Sequence, residues 1–333
     1  MKITVLSDGG WGTALAVNLL NNGHDVTMWG PFPEYLAQMA NTRENVKFLK
    51  GITLPDNLKF EADMEKAVTG SPILLLATPT QYLRSVLNTL KPYFNPAEHL
   101  LVNVAKGIEV ETWLRISEMV TAVLGENRYV VLSGPSHAEE VARQVPTLVT
   151  AASKNQADAE LVQQVFSSNV FRVYTSADVI GVELGGALKN VMAIAAGMID
   201  GMALGDNPKA AMMTRGITEM GRLGALLGGD AQTFSGLSGI GDLIVTCTSG
   251  HSRNRHVGEE LGKGRKLADI LAEMGMVVAE GVPTAKGAYT LARKINAETP
   301  IIDEIYAVLY NDGDVKQSIQ KLMCRPPRSE NNN

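Results

Sequence analysis

The sequence predicts an open α/β domain with a parallel, doubly wound sheet, followed by a second domain built from helices alone. Short β-rich runs alternate with helical stretches from Ile3 to about Tyr174, the pattern of strands joined by crossover helices. From about Val179 the strand signals fade, and helical periodicity with Gly-rich connections continues through Ala307. Between the first strand and the first helix stands the run Ser7-Asp8-Gly9-Gly10-Trp11-Gly12. These observations divide the chain into a first domain over 1–180, a second over 181–328 and a disordered tail over 329–333, where polar residues end in Asn331-Asn332-Asn333.

Ile3–Leu6 reads as a buried strand and Thr13–Asn22 as a helix closed by Gly23. Val26–Trp29, Ile73–Ala77, Leu100–Val104 and Tyr129–Leu132 continue the strands, with Thr147–Ala151 and Phe171–Tyr174 as edge strands. The first helix of the second domain runs from Gly181 to about Met202 and is apolar enough to be buried on most sides.

Composition excludes several classes. The chain has 333 residues, 45% hydrophobic and 20% charged, as expected for about two globular domains. No uninterrupted apolar run approaches the roughly 20 residues of a membrane span, and Met1–Leu6 meets Asp8 before a signal-like apolar region builds up, so no secretory signal is expected. Two cysteines, Cys247 and Cys324, lack metal-ligand spacing and read as reduced thiols in a cytoplasmic protein. The net charge is −5, and no clustered basic run suggests a nucleic-acid partner. An anionic small substrate would therefore be caught by a few placed cations.

The glycine-rich run has the strand–loop–helix context of a dinucleotide fingerprint. Gly9 would let a pyrophosphate approach the backbone, Gly12 would let helix pack on strand, and the amides of the helix N-terminus would bind the phosphates. Ser7 replaces the first glycine, at a cost if that turn needs a positive φ. The second strand ends Trp29-Gly30-Pro31-Phe32-Pro33-Glu34. No carboxylate for the ribose 2′-OH and no arginine for a 2′-phosphate stands at its tip, and Glu34 reads as an N-terminal helix charge.

Further segments carry chemistry. Lys106, in Asn103-Val104-Ala105-Lys106-Gly107, follows a strand and reaches the carboxyl edge of the sheet, where ligands bind in such folds. Gly134 opens a tight turn after the next strand, and Ser136 stands near a helix start, either capping it or meeting a phosphate. In Glu183-Leu184-Gly185-Gly186-Ala187-Leu188-Lys189-Asn190, Lys189 leans back over the two glycines. Such glycines cost roughly 1 kcal/mol each, which suggests that something approaches the backbone there. A lysine in an otherwise apolar helix is seldom buried without a role, and desolvation would bring its pKa toward the proton-transfer range. Asp242 could orient its ammonium or cap a helix. Ser252-Arg253-Asn254 open a helix through Gly262, so that hydroxyl, guanidinium and backbone amides form a phosphate cradle; Arg255 and His256 read as a solvated face.

Taken together these segments, with Gly9–Ala16, Leu132–Ser136, Gly239–Leu243 and Thr246–Thr248, resemble the bacterial NAD(P)-dependent glycerol-3-phosphate dehydrogenases over Met1 to about Arg328. The resemblance implies a Rossmann-type domain followed by an all-α domain of the 6-phosphogluconate-dehydrogenase type. It implies interconversion of sn-glycerol 3-phosphate and glycerone phosphate for glycerophospholipid synthesis, with NAD or NADP as cofactor, no metal and a homodimer. Carried over by position, Lys189 is the proton donor and acceptor, and Lys106 contacts substrate and cofactor. Gly134, Ser136, Asp242, Ser252, Arg253 and Asn254 line the substrate site, with Arg253 also near the cofactor. Gly10, Trp11, Ala138, Val278 and Glu280 belong to the dinucleotide site.

Two departures from the family bear on the cofactor. Ser7-Asp8 replace the usual Gly-Ala, and Pro31 stands where an arginine commonly follows Trp-Gly, which tilts the preference toward NAD or weakens both. The rival readings are a β-hydroxyacid dehydrogenase of the same architecture, opposed by the Ser252–Asn254 cradle, and a non-catalytic dinucleotide sensor, opposed by Lys106 and Lys189.

Overall fold

The computed structural model describes residues 1–276, 278–327, 329 and 330. Arg328 and Asn331–Asn333, to which the expected chain end and tail extend, lie outside the described residues, as does Val277. The chain forms two compact units: Met1–Lys106 with Leu114–Val182, and Gly107–Trp113 with the chain from Glu183 onward.

The first unit is built on β1 (Lys2–Leu6), β2 (Asp25–Trp29), β3 (Glu44–Asn45), β4 (Leu49–Thr53), β5 (Lys59–Glu61), β6 (Ile73–Leu76), β7 (Leu100–Asn103), β8 (Arg128–Ser133), β9 (Thr147–Ala152) and β10 (Phe171–Ser176). Eight of these strands form one sheet in the order β10-β9-β8-β7-β6-β1-β2-β5, with β3 and β4 as a separate antiparallel pair. The central strands β1, β6 and β7 are buried on both faces, which is why they read as continuous apolar runs and not as alternation. Helices α1 (Gly10–Asn21), α2 (Pro33–Thr42), α3 (Met64–Val68), α4 (Thr80–Leu90), α5 (Ile116–Leu124), α6 (Ala138–Ala142) and α7 (Gln156–Phe166) complete the unit. One apolar core includes α1 and α7, and another includes α3, α4 and α5.

The pairing Leu6↔Trp29, Leu6↔Leu76 and Leu76↔Asn103 brings the carboxyl ends of β1, β2, β6 and β7 level. Every segment leaving those ends, including Ser7–Gly12 and Val104–Lys106, therefore emerges at one edge of the sheet. Two features depart from the sequence reading: β9, expected at an edge, is flanked by β8 and β10, and its direction is reversed. β9 runs antiparallel to β8, because α6 is a short turn of helix that packs on α1 and does not cross the sheet, as a parallel return requires. β10, reached through α7, is parallel to β9 again.

The second unit is helical: α8 (Val179–Gly201), α9 (Asp206–Leu226), α10 (Asp242–Thr248), α11 (Arg253–Gly262), α12 (Leu267–Met274), α13 (Gly281–Lys294), α14 (Pro300–Tyr310) and α15 (Val315–Met323). The first turn of α8 still belongs to the first unit. By length and composition alone α8 could cross a membrane, with a mean hydropathy of 1.5, but 89% of that window is buried, as in a core helix. Its packing on α11 depends on glycines in both helices. A Cβ on Gly197 would stand 1.9 Å from the Arg255 carbonyl oxygen, and one on Gly258 would stand 1.9 Å from that of Ile194. Gly201 and Gly262 repeat the contact one turn on, so the two backbones touch over the last turns of α8.

Candidate active site

In the first unit, α1 begins at Gly10, three residues earlier than the sequence suggested. Gly9 precedes it in an extended conformation with no side-chain cap, and no acidic residue occupies the first turn. The leading amides of α1 are thus available to an anion. Gly12 is required for packing: a Cβ there would meet Val5, Ala77 and Ser7 at 3.1–3.3 Å. Gly10 is required by the protein itself, since a Cβ would stand 2.3 Å from the Phe48 carbonyl oxygen. Ser7 avoids the cost foreseen for it, as it is not among the residues with positive φ; its hydroxyl accepts from the Gly9 amide at 3.0 Å.

The hairpin β3–β4, which sequence reading missed, holds this loop in place. Asn45 donates to the Asp8 carbonyl oxygen and to Thr13 Oγ1, each at 2.8 Å. It accepts from Tyr35 Oη at 2.6 Å and from the Phe48 amide at 3.1 Å. The indole Nε1 of Trp11 is buried with no hydrogen-bond partner among the described residues. A pyrophosphate-bearing cofactor fits these residues: uncapped amides, a glycine-lined backbone and an orphaned donor.

Also in this unit, Asn103 turns the chain after β7 by accepting from the Ala105 amide at 3.1 Å, and Lys106 follows. Lys106 Nζ donates to the Gly134 carbonyl oxygen at 2.9 Å and to Ser136 Oγ at 3.3 Å. Ser136 itself donates to the same carbonyl at 2.8 Å. Gly134 has a φ of 153°, and a Cβ there would stand 2.9 Å from Val149 Cα, so only glycine suits the turn. Ala138 opens α6 against the first core. The three residues singled out at separate strand ends, Lys106, Gly134 and Ser136, form one cluster.

In the second unit, Lys189 is 6% and Asp242 1% exposed. Lys189 Nζ donates to Asp242 Oδ1 at 2.8 Å and to Thr246 Oγ1 at 2.7 Å. Asp242 is therefore the ammonium's partner and not merely a helix cap. It starts α10 directly after a π-helical turn, Leu237–Gly241, a local irregularity common at functional sites. The group that approaches Gly185 is the protein's own backbone, since a Cβ would stand 2.5 Å from the Ser238 carbonyl oxygen. Cys247, also on α10, has its thiol pushed up to about 12 by burial, and it is inert at neutral pH.

Ser252 caps α11, accepting from the Arg255 amide at 3.2 Å. Asn254 is buried: it donates to Asn190 Oδ1 at 2.9 Å and accepts from the Gly281 amide at 2.8 Å, tying α8, α11 and α13 together. Arg253 is exposed and, with Ser252, borders an open cavity of 420 Å³. Arg255 is no solvated residue: its Nε bonds Asp200 Oδ2 at 2.6 Å. Val278 is half-buried and Glu280 stands at the N-cap of α13. Thr246 and Asn190 are the contacts that sequence reading did not single out as functional. Asp242 and Thr246 share a face at i, i+4 of one helix, which was the available signal. Among the described residues no group of three or more His, Cys, Asp or Glu could hold a metal ion.

Comparison with known proteins decides the family. The model for the N-terminal part of NAD-dependent glycerol-3-phosphate dehydrogenase matches residues 2–159, and that for its C-terminal part matches residues 178–320. The chain belongs to the NAD-dependent glycerol-3-phosphate dehydrogenase family. Glycerol-3-phosphate dehydrogenase [NAD(P)+] of Bacillus cytotoxicus is 50% identical over 99% of this chain and 97% of its own length. That of Chlorobium phaeobacteroides is 47% identical over 99% of both. Among solved structures, glycerol-3-phosphate dehydrogenase from Coxiella burnetii superposes with a TM-score of 0.93 at 36% identity, over 97% of this chain and 99% of that one. A ketopantoate reductase from Ralstonia eutropha, at 13% identity and a TM-score of 0.60 over 97% of this chain and all of that one, shares the fold alone. This glycerol-3-phosphate dehydrogenase family member is an NAD(P)-dependent oxidoreductase with a Rossmann-like first domain and a helical second one; the rival readings find no such support.

Proposed function

We propose that the chain catalyses reversible reduction of glycerone phosphate to sn-glycerol 3-phosphate, with Lys189 as the proton donor and acceptor. The observation that carries the role of Lys189 is the buried Lys189–Asp242–Thr246 cluster, the sole buried lysine–carboxylate pair among the ion pairs of the described residues. NAD(P), when bound, supplies or accepts the hydride at C2. The protein's task is then the C2 oxygen, which gains negative charge as reduction proceeds. Asp242 and Thr246 hold the Lys189 ammonium in one orientation, so that a proton reaches that oxygen without the lysine first having to be ordered. Its charge also stabilises the developing alkoxide in a dry setting.

Lys106, with Gly134 and Ser136, is proposed as the substrate- and cofactor-contacting group of the first unit. Ser252, Arg253 and Asn254 are proposed to receive the phosphate. Arg253 is the exposed, forked donor suited to it, while Asn254 is mostly occupied in fixing the start of α11. Gly10, Trp11, Ala138, Val278 and Glu280 remain the proposed dinucleotide contacts. A soluble cytoplasmic homodimer supplying glycerophospholipid synthesis is the setting this reading favours; the burial of α8 supports its soluble character.

Oxidation of NADH and NADPH with glycerone phosphate, unphosphorylated dihydroxyacetone and a panel of 2- and 3-keto acids tests the reading. Turnover should be confined to the phosphorylated ketone. Comparable kcat/KM with any keto acid would refute it.

A further inference from the structure

β2 is followed by Gly30 and Pro31 and supplies no carboxylate to an adenosine ribose, the usual task of that strand tip. The structure supplies one from β1. The two strands are parallel neighbours with Leu6 paired to Trp29, so Asp8 and Gly30 leave the sheet side by side. Gly30 has no side chain, and Asp8 lies across it: a Cβ on Gly30 would stand 3.0 Å from both Asp8 Cβ and Asp8 Oδ2.

Asp8 is 9% exposed, and its Oδ2 has no hydrogen-bond partner among the described residues. Burial, only partly offset by its own backbone amide and by Lys47, holds its carboxyl above the usual range. Lys47, the one cation among these influences, also lies over the Tyr35 ring at 4.2 Å. The Asn45 bond to the Asp8 carbonyl keeps the residue from swinging away. A carboxylate kept so short of donors is costly unless a ligand completes it.

We propose that Asp8 selects the cofactor, its carboxylate accepting from the adenosine ribose of NAD and repelling the 2′-phosphate of NADP. The proposal rests on the dinucleotide reading of the Ser7–Gly12 loop, but not on the identity of the substrate. A carboxylate set beside a phosphate, away from bulk water, weakens binding by about tenfold or more.

Calorimetric titration with ADP-ribose and with its 2′-phosphate tests it, since neither carries nicotinamide and both report the adenosine half without turnover. The wild-type protein should bind ADP-ribose about tenfold or more tighter than the 2′-phosphate. In Asp8→Asn, and again in Asp8→Ala, the ratio should fall to within about threefold, chiefly because the phosphorylated ligand binds more tightly. Their melting temperatures should be no lower than that of the wild type, because a buried charge is removed. Equal affinities in the wild type, or a change by the same factor for both ligands in the variants, would overturn the proposal. Failure of both ligands to bind would overturn it together with the dinucleotide site. Normal binding without glycerone phosphate reduction would overturn the reaction and leave Asp8 in its role.

Discussion

Lys189 is buried, with the Asp242 carboxylate and the Thr246 hydroxyl bonded to its ammonium, so removing it has two separable effects. Lys189→Ala should lower kcat by about 10²–10⁴-fold, the usual contribution of a positioned acid. It should also lower the melting temperature, because a buried charge left alone costs about 3–5 kcal/mol. The double variant Lys189→Ala/Asp242→Ala should recover much of the melting temperature and none of the turnover. Recovery of turnover would remove Lys189 from the chemistry. Lys189 was legible in the sequence because a charge stands out in an apolar helix. Thr246 was not singled out despite its i, i+4 spacing from Asp242, since such a hydroxyl also looks like any threonine bonding back along its helix. Arg255 was misread because its partner, Asp200, lies on another helix, and sequence spacing carries no signal for such a pair.

Helices α8 and α11 hold the start of the proposed phosphate cradle through backbone contact. Gly258→Ala would drive a methyl group into the Ile194 carbonyl, and backbone yields less readily than side chain. The variant should lose about 1–3 kcal/mol of stability, read as a lower denaturation midpoint, and raise KM for glycerone phosphate as α11 shifts. Gly250→Ala, with nothing within 4 Å, is the control and should match the wild-type midpoint. An unperturbed Gly258→Ala would show that the helices are not in backbone contact. At this scale the central strands were readable, since burial on both faces leaves an unbroken apolar run. The direction of β9 was not, because apolar periodicity is the same for a strand read either way. The strands β3 and β5 are too short to show any period.

For the whole molecule, the response of stability to pH is set in part by Glu219. It is 1% exposed and accepts from the backbone amides of Ile301 and Ile302, at 3.0 and 2.9 Å, at the start of α14. Burial pushes its carboxyl up to about 7, against 4.5 ordinarily. The folded protein thus binds that proton more tightly than the unfolded chain does. The corresponding stability is complete below about pH 4.5 and is lost as pH rises through about 7. The difference amounts to about 3 kcal/mol. Denaturant titrations at pH 5 and pH 8 should show it as lower stability at the higher pH. Glu219→Gln, which cannot ionise, should flatten the difference, and a slope unchanged in that variant would place its origin elsewhere.

Asn45 spends its amide on four groups of the Ser7–Thr13 loop and its surroundings. The loop is therefore ordered when the chain folds and not when a ligand arrives. The conformational entropy of that segment belongs to the folding reaction, and little of it remains to be lost on binding. At the proposed site, encounter with a dinucleotide would then be a docking onto a standing surface, with an association rate governed by diffusion and charge and not by the closing of a loop.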